Sequence, residues 1–536
     1  MAPEFMNVRN SIVVAAMAVL AVLLLAQLGR YTLWDDEGET ALLAEGVLKT
    51  GDTSVRLDHG NLMAYRGGLV VHNFCDRSTP PLPIYVTAAS FALFGVNAWA
   101  ARLPFALAGL GTALLLLLWA RRQSLLFLGV LALGLIGNVS LILFCRQSRY
   151  YALAVLFATA LVLLYARAGR TPRQLLALSA LSALLFACQY MVFIAVYACL
   201  VVDYLFWRRK EWPLTWRDAL YLFAPQAVCN AVIGYVWNPL ATQFGKYEAH
   251  SDIFDRLTIL FWNLRDLNAA ECLSLPLLVL ALVLGVAWRQ TWLVRGCTAV
   301  AVYIFVVSLI SPQQVALTFV ADIRYAVPLI PLAIVLEAAA ICLLLGRLPL
   351  LAVGAAVVVF GTNFFNGGPL LDRGLRSTLC DYVGELLHPV PEPYTPTADW
   401  INANVLEGAS IWVLPDYSTY PLMFRAPRAL YAWQLDWPPR ADFAGLPAIQ
   451  FKGLEPPDYL VAFGPSVRVM AQQLQAWDRP EVHYNEVATI PVFWRDMYRP
   501  ELFWRTFTPI TKFNPDSEAV YIFKRTAPPV AAAAKP

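Results

Sequence analysis

Apolar runs recur along this chain at 12–29, 100–119, 125–144, 150–166, 219–238, 272–288, 297–312, 325–345 and 349–365. Each is close to the ~20 residues that an α-helix needs to cross ~30 Å of hydrocarbon. A soluble core has no room for so many such helices. With 59% hydrophobic and only 14% charged residues, against about a quarter charged in an ordinary soluble domain, the bilayer must be the main solvent. The stretch from Gln174 to Trp207 is too long for one crossing and is broken by Gln189-Tyr190, which predicts two short spans meeting there and eleven in all. The opening MAPEF reads as an appended piece ahead of a second start at Met6. The apolar run after Arg9 lacks a small-residue cleavage site and reads as a retained first span.

The segment Pro81 to Phe94 is apolar but short, which predicts an interfacial or re-entrant helix. Charge decides how it is counted. If it does not cross, Arg121-Arg122, Arg167 to Arg173, Arg208 to Lys210, Arg289 to Arg295 and Arg347 all share the side of Arg9, as the positive-inside rule requires. The N-terminus is then cytoplasmic and the C-terminal region lies outside. The expected localisation is a bacterial inner membrane, with that region in the periplasm.

A net charge of +3, with no basic run longer than Arg208-Arg209-Lys210, gives no electrostatic footprint for nucleic acid. The nine cysteines form no Cys-x-x-Cys pair, so neither a zinc site nor a disulfide framework is expected.

After Asn366 the character changes. Proline-rich HPVPEPYTP leads into a helix-like TADWINANV and strand-like SIWVL, DYLVAF and AVYIF. The fold class expected is a polytopic α-helical membrane protein with a C-terminal α/β periplasmic domain. Its divisions are 1–365 for the transmembrane part, including an outer loop at 30–97, 366–526 for the α/β domain, and 527–536 as a disordered tail.

Residues suited to chemistry gather on the predicted outer face. The first outer loop opens with Asp35, Asp36 and Glu37. Leu43, Ala44, Val47 and Leu48 then oppose Glu45, Lys49 and Asp52, the pattern of an amphipathic interfacial helix closed by Gly51. Two readings of Asp36 stand side by side: it caps this helix in a box with Glu39, or it is a general base at headgroup depth. Arg77, Arg102, Arg146, Arg149 and Arg324, with Tyr325, are candidates for holding an anionic lipid phosphate. Against that, the plainer readings carry more weight for two of them, Arg77 as a snorkelling or solvated arginine and Arg324 as the partner of Asp322, and Arg102 could pair with an acid of the first loop or snorkel. His72 reads as an ordinary loop histidine. No metal motif is present, although adjacent acids could hold a divalent cation; no cofactor is certain.

Asp36-Glu37, Ala44-Glu45, Gly51-Asp52, Pro80-Pro81-Leu82, Leu93-Phe94-Gly95 and Ala101-Arg102-Leu103-Pro104, in that order and spacing, resemble the GT-C membrane glycosyltransferases. The branch is the family 39 type, which holds the protein O-mannosyltransferases and the lipid A aminoarabinose transferase. Weaker similarity continues through Arg149-Tyr150-Tyr151 and Arg324-Tyr325 with Pro328 and Pro331. The resemblance implies a GT-C-like fold and inverting transfer of a sugar from a polyprenyl-phosphate donor to a periplasm-facing lipid, glycan or protein. It implies too that the acid matching Asp36 lies near the reacting centre and that basic residues hold the phosphate. Where relatives often carry an aspartate, this chain has Tyr150-Tyr151, and the lysine they place before the Pro-Pro pair is absent. The alternatives are a lipid-linked sugar flippase, against which no internal repeat is found, and a non-catalytic membrane assembly protein.

Overall fold

The computed structural model describes residues 3–167, 171–240, 242, 252–316, 320–367, 374–389, 392–477, 479, 481–492 and 519–526. Its helices begin with α1 (Pro3–Leu25), α2 (Asp35–Thr50), α3 (Pro81–Phe94), α4 (Ala98–Ala120), α5 (Leu125–Gly137), α6 (Val139–Cys145), α7 (Tyr151–Arg167), α8 (Pro172–Cys188) and α9 (Tyr190–Asp203). Then come α10 (Trp216–Trp237), α11 (Ile253–Ala269), α12 (Leu275–Ala287), α13 (Thr291–Ile310), α14 (Ile330–Leu345) and α15 (Pro349–Gly361). Among the described residues six helices are long and apolar enough to cross a membrane, or seven if a bent pair counts as one span. Shorter apolar helices include α3, α7, α8, α12 and α15.

Local signals set the boundaries. Asn97, Ser124 and Thr171 each accept a backbone N–H from the first turn of α4, α5 and α8, the usual N-cap arrangement. Gln189 separates α8 from α9 at the predicted break. The run 125–144, expected as one span, is instead a pair bent by 62°. Asn138 ends α5 and its side chain caps α6 by accepting from Leu141 N at 2.9 Å, so the polar residue that closes one helix opens the next. Buried aliphatic and aromatic residues of α1, α4–α9 and α11–α15 form one continuous bundle core.

The C-terminal segment adds α16 (Thr378–Leu387), α17 (Tyr394–Asn404), α18 (Thr419–Arg425) and α19 (Ser466–Ala476). After a short hairpin in the first loop, β1 (Val71–His72) with β2 (Cys75–Asp76), the remaining strands are β3 (Ser410–Leu414), β4 (Leu430–Tyr431), β5 (Tyr459–Phe463), β6 (His483–Pro491) and β7 (Ala519–Thr526). They form one sheet in the order β4-β3-β5-β7-β6, with β4, β3 and β5 parallel and β7 antiparallel to both neighbours. The expected tail from 527 lies outside the described residues.

This sheet does not stand apart from the membrane part. Leu33, Leu42, Val55, Met63 and Ile84 share one core with Ile401, Ile411, Tyr420, Leu422 and Val461. Asn61 of the first loop accepts from Tyr431 N at 2.9 Å and donates to Pro427 O and Ala429 O. At Gly38 a Cβ would meet Pro421 N and Tyr420 C at 3.0 Å, so α18 lies directly on α2. Consequently α2 is not the half-exposed amphipathic helix expected. Residues 37–44 are all buried, because both α3 and α18 pack on it. Gly51 does close it, in the left-handed conformation (φ 80°) that costs glycine no Cβ clash.

Candidate active site

Helix α2 begins one residue before Asp36, which disposes of the capping reading. The N-cap is Trp34, and the side chain reaching back to its N–H is that of Glu37, at 3.4 Å. Asp36 lies in the first turn with its carboxylate turned to two arginines. Arg324 Nη1 meets its Oδ2 at 2.7 Å and Arg149 Nη2 meets the same oxygen at 3.4 Å. Both guanidiniums are held from elsewhere. Asp322, at the head of a 3-10 turn over Ile323–Leu329, accepts from Arg324 Nε and Nη2, each at 2.7 Å. Arg149 Nη1 donates to Asp36 O at 3.1 Å and Thr40 Oγ1 at 3.0 Å, and stands 3.5 Å from Glu39 Oε2. Thr79 Oγ1 donates to the other Glu39 oxygen at 2.9 Å.

The three acids of the opening motif therefore have three different surroundings. Asp36 is shared by two arginines. Glu37 is fully buried against Arg102, with Nε at 2.8 Å and Nη2 at 2.5 Å, and also accepts from Ser148 N at 2.8 Å. Asp35 forms no ion pair among the described residues. Burial of its carboxyl, then the charges of Asp36 and Glu39, push its pKa well above the usual carboxylate range despite the opposing arginines. Burial works against the charge of Arg149, but Asp36 and Glu39 hold its proton above the ordinary guanidinium value.

Several candidates fall elsewhere. Arg102 spends its five N–H donors on Glu37, Leu28 O, Tyr31 O and Thr32 O, so no donor remains for a phosphate. It ties the end of the first span to α2. Arg146 donates to Leu23 O and Leu24 O at 2.9 and 3.0 Å, the last carbonyls of α1, and so caps that helix. Arg77 pairs with Asp52 at 2.5 Å and lies over the Trp237 ring. Asp52 lies just past the Gly51 that closes α2, whereas Asp36 is in its first turn, so Arg77 serves the far end of α2. Tyr325, by contrast, stays beside the cluster: next to Arg324 in the chain, it stacks on Tyr150 with ring centroids 6.2 Å apart, Tyr150 packs on Tyr151 at 4.5 Å, and the Tyr325 carbonyl accepts from Tyr303. His72 lies exposed in the hairpin. For the divalent cation, no group of three or more His, Cys, Asp or Glu side chains is placed to hold one among the described residues.

The sequence gathers Asp36, Arg149 and Arg324 on one predicted face and offers Asp322 as a partner of Arg324; the structure brings all four into contact. It adds Glu39 and Thr79 as a second support. Glu39 was read only as a cap partner, and its contact with Thr79 across forty positions has no short-range signature.

Residues 78–237 match the family model described as dolichyl-phosphate-mannose-protein mannosyltransferase. That segment carries Arg102, Arg146 and Arg149 but neither Asp36 nor Arg324. No curated protein sequence matches the chain. Among solved structures, ArnT from Cupriavidus metallidurans in the apo state aligns over 96% of this chain and 98% of its own, with 15% identity and a TM-score of 0.55. ArnT bound to undecaprenyl phosphate aligns over 95% and 97%, with 16% identity and a TM-score of 0.49. Arabinofuranosyltransferase AftD from Mycobacteria aligns over 96% of this chain and 39% of its own, with 16% identity and a TM-score of 0.45. The chain thus has the fold of apo ArnT along nearly its whole length, a polytopic helical membrane protein, and the resemblance to GT-C membrane glycosyltransferases is borne out.

Proposed function

We propose that this protein transfers a sugar from a polyprenyl-phosphate-linked donor to an acceptor on the outer face of a bacterial inner membrane. The observation that carries this reading is the Asp36 carboxylate held by Arg324 and Arg149 at the head of a buried helix. A polyprenyl phosphate leaves as an anion, and guanidiniums aimed at it stabilise the charge that develops as the sugar–oxygen bond breaks. Arrival of that phosphate gives the two arginines a second anion to bind. Asp36, relieved of part of their attraction, is then free to take the proton of an acceptor hydroxyl or amine. Attack from the face opposite the leaving phosphate inverts the sugar carbon.

Arg102 and Glu37 are structural in this scheme. Asp35 tunes the charge of the site, and Arg77 and Arg146 take no part. The membrane arrangement that accompanies it has eleven crossings, with α3 not crossing, a cytoplasmic N-terminus and the sheet of β3–β7 in the periplasm, covering the loop that carries Asp36. The family model and the fold support glycosyl transfer; the sugar and acceptor are open. Mass spectrometry of membrane lipids and glycans from cells with and without the protein identifies both. A reconstituted assay with the donor so identified must then show release of polyprenyl phosphate in step with product. Movement of intact donor across the bilayer with no release would replace this reading by a flippase.

A further inference from the structure

One polar group beside the ion-paired cluster has no partner. Tyr151, the first residue of α7, is fully buried, and its hydroxyl makes no hydrogen bond. It lies within electrostatic reach of Arg324, Asp36, Arg149 and Asp322. Its ring is fixed by Tyr150 and Phe144, with centroids 4.5 and 5.1 Å away. Arg149 Nε is likewise buried, and neither group has a hydrogen-bond partner among the described residues. A buried donor left unpaired is costly, and two at one place call for an explanation. The arginines offer Tyr151 nothing, because a guanidinium has no acceptor atom. The nearby carboxylates are turned to the arginines, Asp36 Oδ2 to Arg324 and Arg149 and both oxygens of Asp322 to Arg324, and none accepts from the hydroxyl. What the hydroxyl lacks is an acceptor within hydrogen-bond distance. Tyr151 also opens a helix of seventeen residues, whose first N–H groups have no intrahelical acceptor and favour an anion.

We infer that the Tyr151 hydroxyl is a phosphate-binding donor, joining Arg324 and Arg149 on the phosphate of the lipid-linked substrate. This rests on the function proposed above and names a residue of its phosphate subsite. As the arginines turn from Asp36 towards the entering phosphate, the space they vacate opens the hydroxyl to one of its oxygens. A hydroxyl waiting unpaired in the empty site loses no protein partner when it binds, so its hydrogen bond counts in full towards the ligand.

The test is Tyr151→Phe in the full-length protein in lipid nanodiscs, with equilibrium binding of undecaprenyl phosphate, undecaprenol and inorganic phosphate. The parent is expected to bind undecaprenyl phosphate far better than undecaprenol. Tyr151→Phe is expected to weaken undecaprenyl phosphate by roughly ten- to a hundredfold, the scale of one hydrogen bond to a charged group. Inorganic phosphate, weaker throughout, should lose a similar factor, and undecaprenol none. Without ligand the variant should melt at or above the parent temperature, since an unsatisfied buried hydroxyl has been removed. Undecaprenyl phosphate affinity within twofold of the parent overturns the inference and leaves the proposed function standing. So does a loss seen with the lipid but not with inorganic phosphate, which would place the hydroxyl on another part of the lipid. A lowered melting point without ligand would make Tyr151 a structural residue and also overturn it. A parent that does not distinguish undecaprenyl phosphate from undecaprenol removes both this inference and the function beneath it.

Discussion

Arg324 Nη1 and Asp36 Oδ2 stand 2.7 Å apart although 288 positions separate them in the chain. The pair joins the first turn of α2 to the 3-10 turn that precedes α14, and it changes what replacing Asp36 does. As a helix cap, Asp36→Asn would have left the fold untouched. As the shared counter-charge of two arginines, its loss leaves them facing each other, at a cost of about 1–3 kcal/mol, below the figure for a fully enclosed pair because the carboxylate is partly open. Transfer should fall by a factor on the order of a hundred or more. Asp36→Glu keeps the charge and should recover most of the stability. It should not recover transfer, because a displaced carboxylate no longer meets the acceptor proton, and about 1 Å can cost a hundredfold. Turnover and melting temperature measured on the same preparations separate the two effects. Parent-like turnover in Asp36→Asn would remove it as the base.

Glu37 and Arg102 form the most enclosed ion pair described, with side chains 0% and 11% exposed. Removing either partner strands the other in the protein interior. Glu37→Gln and Arg102→Ala should each destabilise by about 3–5 kcal/mol, and the double variant by clearly less than the sum. Denaturant unfolding of the three variants in one detergent measures this. An Arg102→Ala protein that melts like the parent but binds lipid phosphate poorly would return Arg102 to the phosphate site.

The arginines that sequence alone places together on the outer face divide into two groups. Arg149→Ala and Arg324→Ala should each weaken undecaprenyl phosphate binding by roughly tenfold or more. Arg77→Ala and Arg146→Ala should leave it within about twofold, since their partners are Asp52 and the end of α1; the background is the small worth of exposed pairs. Titration of the four variants with one ligand gives the ranking. Equal losses in all four would mean that the basic residues act as a diffuse field and not as a site.

Much of this was legible without coordinates, and the remainder shows what sequence periodicity reports. Apolar run length marked the long apolar helices, though not α11 (Ile253–Ala269), which falls where a loop was expected, and Gln189 marked the break between α8 and α9, because each depends on residues a few positions apart. The bend at Asn138 was missed because one asparagine inside an apolar run looks tolerable in a continuous helix. The three-way division of Asp35, Asp36 and Glu37 was not legible at all. It depends on Arg102, Arg149 and Arg324, brought in from three distant segments. Nor did the pattern of α2 reveal its burial. Glu37, Glu39 and Thr40 are polar yet enclosed, because their partners Arg102, Ser148, Arg149 and Thr79 come from other segments, and α18, nearly four hundred residues later, closes over Gly38 between them.

Glu45 gives a prediction about stability and pH. Burial is the main cause that raises its pKa from the ordinary 4.5 to about 7; Lys49 opposes the shift and Asp58 adds to it. The folded state therefore holds this proton more tightly than the unfolded chain. The stability it gives is fully present below about pH 4.5 and is lost as pH rises through 7. Glu45→Gln keeps the shape and removes the titration. It should stabilise the protein at pH 8 by something on the order of 1 kcal/mol after allowance for solvent screening, and the gain should close as the pH falls towards about 4. Melting curves of parent and variant across that range decide it. A constant difference at every pH would place Glu45 in contact with water.

Asp35 should govern how the site meets an anion. Among Asp35, Asp36, Glu37, Glu39 and Asp322 there are more carboxylates than the arginines Arg102, Arg149 and Arg324 can balance. Below its raised pKa Asp35 is protonated, and one negative charge is then withheld from the place proposed to accept a phosphate. Its proton is lost only as pH climbs through that raised value, above the ordinary carboxylate range. From there upward the parent should bind undecaprenyl phosphate progressively less well than Asp35→Asn, which is neutral throughout. The phosphate itself gains charge near pH 6, so affinity alone is ambiguous. The ratio of the two proteins' affinities cancels that contribution. It should be close to one in acid and rise to something on the order of tenfold in alkali, the effect of one nearby charge after screening. A ratio flat across the whole range would mean that Asp35 does not change its charge beside the arginines.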